Sequence, residues 1–174
     1  MNNLTHNPDF KRAMSQVHEL YNTHLPIKIA AVAEKFFVDS FRAQGFTDKM
    51  LRPWKATKKG KKSYLGHSAG ILIGKGALMR SVRTLKSDEA IVHIAAGDQH
   101  VPYAKIHNEG FDGNQSVKSY ARKTKKGSVT VQAHSRHMVM PQRQFMGNST
   151  MLNENIDKVI LREVNALERK LFNH

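Results

Sequence analysis

The sequence predicts an α+β domain: N-terminal helices and a C-terminal helix packed on a mainly antiparallel sheet, with a long basic loop and a basic-tipped β-hairpin. Three observations predict it. Apolar residues recur at helical spacing before residue 45 and again after residue 150. Period-two alternation marks several runs between residues 82 and 140, and a Gly-, Ser- and Lys-rich stretch without period lies ahead of them. A chain of 174 residues, 40% hydrophobic and 24% charged, suits one globular domain over 1–174 with enough material for a proper core.

Asn7 and Pro8 start a short helix with Phe10, Met14, Val17 and Tyr21 at helical spacing, and residues 1–25 read as an N-terminal helical arm. Pro26 restarts the pattern. Ile29, Val32, Ala33, Phe36, Phe37 and Phe41 then line a wide apolar stripe, which Gly45 is expected to end as a left-handed cap. Residues 46–75 lose all periodicity and read as a long loop, a connection more often functional or partner-dependent than idle. Gly76, Ala77 and Leu78 lead into alternation: Val82, Thr84 and Lys86, then Val92, Ile94 and Ala96, with Ser87, Asp88 and Glu89 as the turn of an antiparallel pair.

Asp98 or His100 can cap a two-turn helix that Pro102 opens and Gly110 stops, with Tyr103, Ile106 and His107 on one face. Tyr103 and His107, four apart, can touch; Glu109 points elsewhere, so the spacing favours positioning of a short helix over an acid–base pair. Residues 116–121 and 128–133 flank the basic tip of a hairpin, and 137–140 add a strand before Pro141. Ser149 or Thr150 caps a last helix whose apolar face (Leu152, Ile156, Val159, Ile160, Val164, Leu167, Leu171) is expected to pack on the sheet.

Charge is the anomaly. Twenty-eight Lys and Arg against fourteen Asp and Glu give +14, a balance that attracts polyanions or acidic proteins. Arg52, Lys55, Lys58, Lys59, Lys61 and Lys62 lie beside Trp54, the single tryptophan; Lys118, Arg122, Lys123, Lys125 and Lys126 lie on the hairpin. Neither segment holds an acid. Mobile lysines suit a phosphate backbone, because such contact needs only charge and reach; they equally suit solvent or an acidic partner. A sequence-nonspecific nucleic-acid-binding protein is therefore the alternative function.

Other classes lose support. No cysteine exists to supply a disulfide, a thiol nucleophile or a thiolate ligand. There is no G-x-S-x-G, P-loop or G-x-G-x-x-G motif, and the glycines at 66, 70, 74 and 76 have the wrong spacing for a phosphate cradle. His134 and His137 lack a nearby acid in sequence, so no metal, no cofactor and no enzymatic activity are expected. No leader-like segment opens the chain and no apolar run nears 18 residues, so a soluble, unexported protein without a membrane partner is expected.

Four ordered segments carry a resemblance: the tryptophan loop at Trp54; Gly76 with Leu78 and Ser81; Tyr103 with Ala104, His107 and Gly110; and Pro141 with Arg143, Phe145 and Gly147. Over residues 27 to 160 the chain resembles the tailed-bacteriophage virion morphogenesis family, the tail-completion or neck proteins of Mu-like phages. It departs where Lys75 replaces the family's frequent threonine or glycine. The resemblance implies a structural virion protein that forms a ring, a hexamer by expectation, where the head-completion or connector proteins meet the tail tube or tail terminator, near packaged DNA. It also makes Trp54, Tyr103, His107, Arg143 and Phe145 the expected subunit or partner interface.

Overall fold

The computed structural model describes residues 7–56, 70–88, 91–124 and 127–172. Helix α1 (Pro8–Glu19) begins as expected: the Asn7 side chain accepts the Asp9 N–H at 2.9 Å, and Pro8 occupies the first turn, where its missing N–H costs nothing. It does not stop before Pro26. A π-helical turn, Leu20–His24, runs straight into α2 (Leu25–Ala43). Pro26 has no N–H for the carbonyl four residues back, and the wider turn, closed by Leu25 N–H on Leu20 O, carries the helix past that missing bond. The two expected helices are thus one continuous rod.

The buried face of α2 is Ala30, Ala33, Phe37, Ser40 and Phe41. Its left-handed cap is Gln44 (φ 54°), one residue earlier than expected, and the Gln44 amide donates to the Phe41 and Ile71 carbonyls. Gly45 has a different duty. It lies in strand β1 (Gly45–Thr47), antiparallel to β2 (Leu51–Pro53), so the expected loop opens with a hairpin. A Cβ on Gly45 would sit 2.5 Å from the Arg52 carbonyl oxygen and 2.9 Å from Pro53 Cα.

Residues 77–80, expected to lead into a strand, form a short helix, α3 (Ala77–Arg80), that buries Leu78. Strands β3 (Arg83–Asp88) and β4 (Ile91–Ala95) pair antiparallel as predicted, with a register shift between Thr84 and Lys86. Glu34 of α2 ties this ribbon to the helix by accepting the Thr84 N–H and hydroxyl at 3.0 and 3.1 Å. Helix α4 (Ala104–Glu109) follows a turn in which the Asp98 carboxylate accepts the His100 and Val101 N–H groups.

The basic hairpin is only the outer half of a longer arm. Strands β5 (Phe111–Val117) and β8 (His134–Met140) pair in full register, and β6 (Tyr120–Thr124) and β7 (Gly127–Val131) extend the ribbon beyond them. The strands therefore form four separate two-stranded ribbons within the α+β class, and no single sheet spreads beneath the helices among the described residues.

Helix α5 (Thr150–Phe172) packs along α2 rather than on a sheet, with Leu152 and Val159 buried and an ion pair from Lys28 of α2 to Glu163. Its start is doubly capped. Ser149 Oγ accepts the Leu152 N–H at 3.1 Å, and Asp48 from the β1–β2 turn accepts the Thr150 N–H at 2.9 Å and its hydroxyl at 3.1 Å. Those two Thr150 hydrogen bonds hold the Asp48 carboxyl below the usual range.

Both clashes at Gly45 involve backbone atoms that cannot swing away, so Gly45→Ala should cost about 2 kcal/mol of stability through overpacking. The urea midpoint measures this, and an unchanged midpoint would refute the close approach of β2.

Candidate functional site

The four dispersed sequence segments converge on one joint. At its centre Phe41 meets the Trp54 ring edge-on, with centroids 5.6 Å apart, and the Phe145 ring at 5.0 Å; Leu78, Ala104 and Leu152 close the same core. Trp54 is oriented at both ends. Its backbone N–H reaches Gln44 O at 2.8 Å and its indole N–H donates to Gln144 O at 2.6 Å. The apolar ring is buried while its one polar atom is satisfied, as a core tryptophan requires. Ser81 acts similarly for the second segment, donating to Leu78 O at 2.7 Å and accepting the Gly97 N–H at 2.9 Å.

The chain from Pro141 to Ser149 has no strand partner, so its backbone groups must be met individually. Helix α4 meets them. The His107 carbonyl accepts the Arg143 N–H at 2.8 Å, and the Asn108 side-chain oxygen accepts the N–H groups of Phe145 and Met146, both at 2.9 Å. Gly110 lets the chain turn back beside this segment: its φ is 80°, and a Cβ there would meet Gln142 N at 3.0 Å.

Tyr103 and His107 touch as their spacing predicts, ring edge to ring face with centroids 5.7 Å apart. Tyr103 is exposed; both residues line an open groove of about 480 Å³ with Leu72, Lys75 and Leu78. His107 Nδ1 is buried without a hydrogen-bond partner among the described residues. Burial first, and the nearby Arg143 cation second, hold its pKa below the ordinary 6.5, so the imidazole is neutral at neutral pH.

Arg143 is 6% exposed, with the Lys55 carbonyl at 3.3 Å and the Met140 sulfur at 4.0 Å; its Nε has no partner and no carboxylate faces it among the described residues. Such a charge is costly to bury. The structure thus places Trp54, Arg143 and Phe145 inside the fold and leaves Tyr103 and part of His107 at the surface.

The basic residues are spread apart. Arg52 is exposed and paired to Asp48 at 2.9 Å, and Lys55 is exposed at the edge of the joint. Lys118, Arg122 and Lys123 stand exposed along the arm. Lys58, Lys59, Lys61, Lys62, Lys125 and Lys126 lie outside the described residues. Strand pairing brings His137 to Asp112 at 3.1 Å, a contact hidden in the sequence by their separation. Among the described residues no group of three or more His, Asp or Glu could hold a metal ion, and no helix is long and apolar enough to cross a membrane.

Asn108 lay outside the sequence reading, because an asparagine between a motif histidine and glycine gives no periodic signal. Asn108→Ala removes the acceptor of two buried N–H groups and should cost about 2 kcal/mol, while Asn108→Asp keeps the acceptor and costs less; chemical unfolding of both variants decides it.

His107 predicts a pH effect of definite sign. The unfolded imidazole takes its proton near the ordinary 6.5 and the folded one only lower, so stability falls as pH drops from 6.5 to the folded value and levels off below it. His107→Phe, which keeps a ring but cannot titrate, should show a smaller loss of urea midpoint across that window than the natural protein.

A model of the phage virion morphogenesis family matches residues 13–165, which takes in all four segments and the arm. No curated protein and no solved structure matches the chain. The joint brings together residues of all four segments that carried the resemblance, and the match runs through most of the chain; the protein belongs to the phage virion morphogenesis family.

Proposed function

We propose that this chain is a structural ring subunit at the head–tail junction, a tail-completion or neck protein that joins the connector to the tail during virion assembly and works without catalysis. One observation carries the reading: the four segments that carried the resemblance lock a core around Phe41, Trp54 and Phe145, while helix α1 and the strands of the arm bury none of their described residues fully. A part that works by docking needs this division between a stiff body and outward elements. The exposed Tyr103 edge and the groove beside His107 then form surface for a neighbour, with Trp54, Arg143 and Phe145 holding it from beneath.

Contact with packaged DNA is a second reading, favoured by the +14 charge and by Lys55, exposed at the base of the basic loop. It is nonspecific by nature, since no base-reading element accompanies the charge.

Phage lacking this gene should accumulate DNA-filled heads and separate tails, seen by electron microscopy, with joining and infectivity restored by the chain supplied in trans. Joined, infectious particles in its absence would overturn the proposal. Duplex DNA affinity that does not fall with added salt would remove the second reading.

A further inference from the structure

We infer that the β6–β7 end of the arm docks on the outer face of α5 in a neighbouring copy of the same chain. This rests on the ring reading and names the surfaces that build the ring. The β6–β7 register places Tyr120, Arg122, Val129 and Val131 on one face of the ribbon, with Tyr120 opposite Val131 and Arg122 opposite Val129. Tyr120 is 50% exposed and Val129 54%, so among the described residues nothing covers this apolar cluster. Between Asp112 and Glu154 the sequence holds seven Lys and Arg and no Asp or Glu. The arm is apolar on one face and basic throughout.

The counterpart lies on α5. Glu154, Asp157, Leu161 and Glu168 follow the spacing i, i+3, i+7, i+14 and so share one side of the helix, turned away from the buried Leu152 and Val159. All four are exposed, Leu161 at 61%. None of the three acids has an ion-pair partner among the described residues, and the helix places Lys158, Arg162 and Arg169 on an adjacent stripe. In a protein of net charge +14 this is a concentrated acidic and apolar surface, matched in both respects to the arm.

Duplex DNA would use the arm's charge but leave Tyr120 and Val129 without a counter-surface; the α5 stripe takes both. From Phe111 to Thr124 the arm spans about 45 Å at the usual rise per residue, enough to cross to an adjacent subunit. An arm-to-helix contact pairs unlike surfaces, so it is of the head-to-tail kind that generates rings when the rotation closes.

The absence of cysteine makes the test clean. Val129→Cys and Leu161→Cys, both exposed, are purified separately, mixed and oxidised; a disulfide-linked pair should form in the mixture well above the level in either variant alone. Glu154→Lys with Asp157→Lys should weaken self-association, followed by light scattering, about tenfold or more, and Arg122→Glu in the same chain should restore it in part. If oligomers form and phage complementation succeeds but no mixed disulfide appears, the docking is wrong and the ring reading stands. A chain that remains monomeric at every concentration overturns the docking, and failed complementation reports separately on the ring reading. Loss of DNA retention without any change in self-association on reversing the arm charges would assign the arm to DNA instead.

Discussion

The hydrogen bonds from α4 to the segment 142–146 are the constraint on which the rest depends. This segment connects the arm to α5 and passes through the core without a strand beside it, so each buried N–H needs an individual acceptor. The His107 carbonyl and the Asn108 side chain supply three, and the segment returns the favour by presenting Gln144 O to the Trp54 indole. With the backbone held there, Phe145 can stand against Phe41, and Asp48 and Ser149 can meet the first turn of α5. Losing the α4 contacts would release the Trp54 stack and the α5 cap together, because both lean on the same few residues.

Charge is distributed by an opposite logic. Exposed lysines and arginines cost the fold little, since water screens them, and pairs such as Arg52 with Asp48 contribute little. Arg143 is the exception, a buried cation whose compensation is a carbonyl and a thioether. Its hold on Lys55 O fixes the backbone there, so among the described residues this buried cation anchors the chain beside the exposed Lys55 side chain. The same cation disfavours a proton on His107, keeping a second charge out of the joint.

Much of this was legible in the sequence, and the misses share a cause. Helix periods, the Tyr103–His107 contact, the Ser149 cap and the β3–β4 pair are set by neighbours within a few residues, and each was readable. Gln44 replacing Gly45 as the cap, the π-helical turn at Pro26 and the hairpin at 45–53 are not, because none leaves a periodic signal: Ile71 decides the first, the missing N–H of Pro26 the second, and the approach of Arg52 and Pro53 to Gly45 the third. Periodicity identifies the buried side of α5 but not what it packs on, which is α2 and not a sheet. The four motif segments were recognised in sequence; their convergence on one aromatic stack required the fold.

The arm remains the least self-sufficient part of the molecule. A two-stranded ribbon with both faces open buries too little apolar surface to be more than marginally stable in water. Its inner half continues into the joint through Phe111 and Met140, but among the described residues no strand other than its partner pairs with β6 or β7, and such unpaired edges are the feature folded proteins normally cover. Charge keeps such an edge from pairing with another arm: like-charged ribbons repel, and Lys118, Arg122 and Lys123 guard this one. The same residues that forbid arm-to-arm pairing therefore leave an acidic surface as the favourable cover.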